Sequence, residues 1–212
     1  MEPTEHNRRA WDELQRQRAE ALAGNRRLPS QVRHALADLA DKRVLHLHCG
    51  TGEATAELAE LGGIVTGVDE SGAALESARD RWPSILWVQA DPKALPRELR
   101  RGRFDLVYAG LGSLMEVPDL DAWLRGVAET LRGGGDFLLF EEHPVAVVVD
   151  GLMHWRESYF DPRSRRLGQI VTSSARSGFA VRALEEYPAR SDGWRRHDAR
   201  VPGTFLLYAQ RA

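Results

Sequence analysis

Four short, nearly continuous apolar runs constrain this chain most: VLHL from Val44, IVTGV from Ile64, LVYA from Leu106 and FLLF from Phe137. Strands buried on both faces of a parallel sheet read this way, whereas a sheet with one wet face alternates. Segments of helical period lie between them. Strands are expected at Arg43–Cys49, Ile64–Asp69, Ile85–Ala90, Phe104–Gly110 and Phe137–Glu142, with helices at Glu53–Leu61, Gly72–Arg81 and Leu120–Leu131. Repeated strand and helix joined by right-handed crossovers give an α/β fold, an open doubly wound sheet with helices on both faces.

The ends of the chain depart from that rhythm. Thr4 can cap a helix that carries Ala10, Trp11, Leu14, Ala21 and Leu22 near one face, and a second helix over Ser30–Ala40 leads into the first strand. Residues 144–166 follow neither period and read as a small cap. A helix at Leu167–Ser177, a strand at Ala180–Tyr187, the polar loop SDGWRRHDARVPG and a strand at Thr204–Gln210 follow. The loop leaves no room for a crossover helix, so the last two strands should pair antiparallel.

With 29 Lys+Arg against 31 Asp+Glu the net charge is −2, which argues against a dedicated nucleic-acid or anionic-membrane binder. The basic clusters at 97–103 and 194–197 read as solvated loops. The one cysteine, Cys49, forms no internal disulfide and favours a reducing compartment, so a cytoplasmic location is expected. No stretch resembles a signal peptide, and the longest apolar run, Val145 to Val149, is far short of the roughly 20 residues that span a bilayer.

In open α/β sheets ligands sit beyond the carboxyl ends of the strands. The first such loop is Cys49-Gly50-Thr51-Gly52-Glu53, where two glycines allow a sharp turn into a helix N-terminus suited to a carboxylate or phosphate. A dinucleotide fingerprint would place glycine where Thr55 stands, so a pyrophosphate fits less well. Asp69 closes the second strand and can accept both hydroxyls of a ribose; Asp91, after the third, can accept from an exocyclic amine or simply make a turn before Pro92. The three strand ends suit a nucleoside with a charged tail. His46 and His48 share a face if the strand runs on to Cys49, but no fourth ligand is near and core packing accounts for them better than zinc.

These residues resemble the class I S-adenosylmethionine-dependent methyltransferases, in particular the small-molecule group labelled type 11, through VLHLHCGTGEAT, VTGVDES, the aspartate of VQADP, FDLVYAGLGSL, LRGGGDFLLFEEHP and the closing FLLYAQRA. The resemblance covers nearly the whole chain. It implies one Rossmann-like domain over 1–212 with seven strands in the order 3-2-1-4-5-7-6 and strand 7 antiparallel. Within it, 1–41 would be N-terminal helices and lid, 42–142 the cofactor core, 143–167 a short substrate cap, and 168–212 the last helix and hairpin. It further implies S-adenosyl-L-methionine as cofactor, S-adenosyl-L-homocysteine as product and no metal. Gly50 and Gly52 would line the methionine moiety, Asp69 would meet the ribose, Asp91 the adenine amine, and Ala109, Gly110 and Leu111 the edge near the sulfonium, with His46, Cys49, Glu70, Ala90 and Pro92 as further cofactor-binding residues. Trp11 would belong to a helix closing over the cofactor. The wider family usually has an acid where His46 stands and a glycine where His48 stands, although some type 11 members carry histidine at the first position.

His143, in Glu141-Glu142-His143-Pro144, can take a proton from a hydroxyl or amine acceptor, or merely bond the strand end. Tyr159, with His154 and Trp155, can bind an aromatic or cationic substrate or cover the sheet. The function expected is methyl transfer to an O or N atom of a small molecule, with neither nucleic acid nor membrane as partner. A second copy of the chain, as a homodimer, is one way to close a site with so short a cap. Rival readings are a nicotinamide-dependent oxidoreductase, an S-adenosylmethionine-binding protein without methyl transfer, and an RNA or protein methyltransferase.

Overall fold

The computed structural model describes residues 27–36, 38–114, 117–149, 155, 157–161, 164–189 and 199–212. A short helix α1 (Ser30–Ala35) precedes β1 (Arg43–Leu47), α2 (Glu53–Glu60), β2 (Ile64–Asp69), α3 (Gly72–Arg81), β3 (Leu86–Gln89) and β4 (Phe104–Ala109). Then come α4 (Leu120–Thr130), β5 (Leu131–Glu142), α5 (Pro144–Val148), α6 (Leu167–Arg176), β6 (Phe179–Pro188) and β7 (Pro202–Arg211). Seven strands form one sheet in the order β3-β2-β1-β4-β5-β7-β6, as the resemblance implies. The pairs from β3 to β5 are parallel, and β7 runs antiparallel to both β5 and β6.

Strand alternation divides the core between two faces. Leu45, Leu47, Val107, Phe137, Leu139, Phe205 and Leu207 point to the face covered by α4 and α6. Val44, Leu106, Tyr108, Leu138, Phe140 and Leu206 point to the other, under α1 and α2. Helix α4 starts where the Asp119 side chain accepts from the Ala122 N–H at 2.9 Å, and it buries Leu120, Trp123, Leu124 and Val127. Leu124 and Val127 are fully buried, each contributing about 1.5–3 kcal/mol through removal from water. Ser71 caps α3 in the same way, accepting from Ala74 N–H at 3.2 Å.

Several boundaries differ from expectation. The first strand stops at Leu47, because His48 has φ 54°, a left-handed backbone that cannot continue a strand. His46 and His48 therefore do not share a strand face. Helix α1 ends at Ala35, short of Ala40, where Leu36 leaves helical geometry at ψ 36°. Strand β5 begins at Leu131, six residues early, since Leu131 pairs with Phe104 across an irregularity before Asp136 meets Leu106. Within the cap, Pro144–Val148 form the short helix α5 and Val149 bridges Trp155. The expected N-terminal helix with Trp11, and His154 of the cap, lie outside the described residues. No described helix is long and apolar enough to cross a membrane.

Candidate active site

The turn from β1 into α2 winds tightly because His48, Gly50 and Gly52 all take positive φ. Its backbone is tied to β2: Cys49 N–H donates to Val68 C=O at 3.1 Å, and Gly50 N–H donates to Asp69 Oδ2 at 2.8 Å. The other oxygen of Asp69 accepts from Ser71 N–H at 2.9 Å. One carboxylate thus pins two neighbouring strand ends, and each of its oxygens keeps a second lone pair for hydroxyl donors. Gly52 is required for a reason the turn alone does not reveal. A Cβ there would stand 2.6 Å from Cη2 of Trp87 and 3.1 Å from Cβ of Ala78. The close approach is to the core beneath the loop, where Cys49, Leu75, Ala78 and Trp87 pack together.

Behind the loop, His46 is buried, its Nδ1 2.8 Å from Thr55 Oγ1 and its ring stacked on Tyr108 at 4.9 Å between centroids. Burial foremost, and His48 beside it, push its pKa down to about 3, so His46 is neutral throughout the ordinary range. Thr55, the residue standing where a dinucleotide turn would have glycine, is fully buried to meet it. Cys49 is buried too, and burial, reinforced by Asp69, raises its thiol pKa so that it is no nucleophile.

At the next strand ends, Ala90 N–H donates to Asp69 C=O at 3.0 Å. Asp91 makes the expected turn, accepting from Lys93 N–H at 2.8 Å. Lys93 Nζ lies 3.2 Å from Glu70 Oε2 and 3.9 Å from Asp91 Oδ1, gathering the two acids. Pro92 is buried, its carbonyl accepting from the Trp123 indole N–H at 3.0 Å. After β4, Ala109 is fully buried while Leu111 keeps 57% of its surface exposed, an apolar side chain offered at the sheet's carboxyl edge.

Glu141 is the residue that sequence reasoning passed over. It lies near the end of β5 on the face of Phe137 and Leu139, 4% exposed, and accepts from Gly112 N–H at 2.8 Å and Leu114 N–H at 3.1 Å. Burial outweighs these bonds and pushes its pKa up to about 7. The signal was available: in FLLFEE, Glu141 continues the inward alternation of Phe137 and Leu139.

The two residues expected near the acceptor are not brought together. His143 is buried at the β7 end of the sheet, its ring edge-on to Phe205. Its Nδ1 accepts from Val145 N–H at 3.2 Å, capping α5, and Nε2 stands 2.9 Å from Glu186 Oε1, off the line of the ring N–H. Burial lowers its pKa against the pull of Glu186. Tyr159 instead accepts from Leu167 N–H at 3.1 Å through its hydroxyl. It lines a cavity of about 830 Å³ between the end of the β4–α4 loop, the first turn of α4 and α6, together with Asp119, Phe160, Arg165 and Arg176. Trp155 is 63% exposed. Among the described residues no group of three or more His, Cys, Asp or Glu is placed to hold a metal ion.

Residues 44–135 match the family model described as a methyltransferase domain. An uncharacterized methyltransferase of Synechocystis sp. is 34% identical over 58% of this chain and 57% of its own length. A demethylmenaquinone methyltransferase of Lactococcus lactis is 30% identical over 72% of this chain and 62% of its own. The chain thus spans about three fifths of these two relatives. Among solved structures, an S-adenosylmethionine-dependent methyltransferase from Mesorhizobium loti superposes with a TM-score of 0.71 and 26% identity, covering 85% of this chain and 96% of that one. The strand order with its antiparallel seventh strand, the strand-end loops tied through Asp69, and these matches place the chain among the class I S-adenosylmethionine-dependent methyltransferases.

Proposed function

We propose that this chain binds S-adenosyl-L-methionine over the carboxyl ends of β1, β2, β3 and β4 and passes its methyl group to an oxygen or nitrogen of a small molecule in the cytoplasm. The observation that carries the reading is Asp69, whose carboxylate knits two loops together while retaining acceptor capacity. The residues present fit an adenosyl ligand. Asp69 would take the ribose, Glu70 and Asp91 with Lys93 would flank the base, and Leu111 would meet the apolar edge near the sulfonium. When bound, the cofactor supplies an already activated methyl group.

The protein's work is then alignment of the acceptor and exclusion of water, worth roughly 7–11 kcal/mol where geometry is good. As His143 stands, its lone pair is spent on Val145 N–H, so proton uptake there would break the α5 cap. We therefore read His143 as a strand-end anchor and assign the reaction no general base. Tyr159 would help shape the cap through α6. The small-molecule acceptor is supported by the relative named for demethylmenaquinone.

Isothermal titration with S-adenosylmethionine, S-adenosylhomocysteine and, as control, NADH tests the reading. Micromolar binding of the adenosyl ligands alone is expected; failure of both to bind would overturn it. Release of S-adenosylhomocysteine with any acceptor would then separate transfer from mere binding.

A further inference from the structure

Glu141 takes no part in the proposed reaction, yet among the described residues it is the buried acid at the sheet's carboxyl edge that also reaches into a neighbouring loop. Its partners are the amides of Gly112 and Leu114, with Glu142 N–H donating to Oε1 at 2.8 Å as well. Gly112 has φ 90°, so the loop after β4 takes a shape that few residues adopt unaided. Ser113, between the two anchored amides, is fully buried. We propose that Glu141 is a positioning residue: its ionised carboxylate holds Gly110–Leu114 in the form that meets the cofactor, and protonation releases that loop.

The chemistry follows from the donor set. Among the described residues the carboxylate's partners are all N–H groups, which an ionised oxygen accepts strongly and a protonated hydroxyl oxygen only weakly. Taking up a proton therefore removes the charge assistance from these bonds and sets a hydroxyl hydrogen among N–H donors, which loosens the loop. Among the described residues no cation stands near enough to hold the charge; the surroundings are the loop amides, the Tyr108 ring from β4, Phe205 opposite on β7, and His143 two residues along, whose pKa burial lowers. Burial thus brings the release close to neutral pH, where it can act. His46, the other buried titratable ring of the site, stays neutral across that range. The proposal rests on the reading that this loop edges the cofactor.

Two measurements on the intact chain test it, with wild type and Glu141→Gln compared between pH 6 and 8.5. In isothermal titration, S-adenosylhomocysteine should bind wild type at least threefold more tightly at the higher pH, and the difference should vanish in Glu141→Gln. Amide hydrogen exchange at Gly112 and Leu114 should show protection factors that rise at least threefold over the same range in wild type and stay flat in the variant. An identical pH response of binding in both proteins overturns the proposal. Protection at Gly112 and Leu114 that rises with pH equally in Glu141→Gln and wild type overturns it even if S-adenosylhomocysteine never binds, in which case the cofactor reading has failed separately.

Discussion

Trp87 offers a quantitative test of why two glycines stand where they do. An alanine at Gly67 would bring its Cβ within 2.6 Å of Cε3 and Cζ3 of Trp87 and 3.0 Å of Cys49 Sγ, with no backbone penalty, since Gly67 is an ordinary strand residue. An alanine at Gly52 would meet Trp87 Cη2 at 2.6 Å and in addition hold a φ of 91°. Overpacking of this kind costs about 1–3 kcal/mol, and the left-handed backbone adds about 1–2 kcal/mol. Gly67→Ala should thus destabilise by about 1–3 kcal/mol and Gly52→Ala by about 2–5 kcal/mol. Trp87→Leu removes every indole atom named here. In that background the indole's share of the clash should disappear, leaving the milder approaches to Cys49 Sγ and Ala78 Cβ, so that Gly67→Ala costs about 1 kcal/mol or less and Gly52→Ala chiefly its backbone share, about 1–2 kcal/mol. Urea denaturation followed by far-UV ellipticity and tryptophan fluorescence, with coincident transitions required, gives the four differences. Costs that agree in the two backgrounds to within about 0.5 kcal/mol would refute the contact argument.

Other outcomes follow from the same geometry. Glu141 holds its proton to about pH 7 in the folded chain and to about 4.5 unfolded, so its contribution is intact below the lower value and lost as pH rises through the upper. The loss comes to about 3 kcal/mol, and wild type should fall relative to Glu141→Gln by that order between pH 5 and 8, read from urea midpoints. Equal falls would show the acid to be ordinary. His143→Asn should keep at least about a tenth of wild-type turnover, whereas a general base typically contributes about 10²–10⁴-fold; a drop of that size would restore the histidine to proton transfer. Asp69→Asn sets an amide NH₂ against the N–H of Gly50 or Ser71 and should weaken S-adenosylhomocysteine binding about 10- to 100-fold by titration calorimetry. Undiminished affinity would remove Asp69 from the cofactor site.

What could be read in advance depended on local chemistry. Strand β2 and helix α3 occupy the expected residues, because a β-rich run ending at Asp69 is followed by Ser71 as a helix cap. The early start of β5 was hidden, since LRGGG has the composition of a turn and pairs only through an irregular register. The left-handed turn at His48 carries no signal of its own, being a non-glycine in a conformation glycine favours. In the site, the glycines and Asp69 were legible because a tight turn and a strand-end acid are written locally. The links from His46 to Thr55 and from Glu141 to Gly112 were not, because each joins residues on different elements. Tyr159 and His143 looked like neighbours in function because the cap has no period from which to fold it, and packing sends one to α6 and the other to β7.

The place of β7 has a consequence for how the chain is made. It is synthesised after the other six strands but lies inside the sheet, hydrogen-bonded to β5 along Asp136–Glu142 and to β6 on its far side. Until it emerges from the ribosome, β5 presents a long unpaired edge flanked by Phe137, Leu138, Leu139 and Phe140, a template for pairing with other nascent chains. Slow translation through the hairpin, or a truncation before Pro202, would therefore yield aggregates with the parallel half of the sheet already assembled.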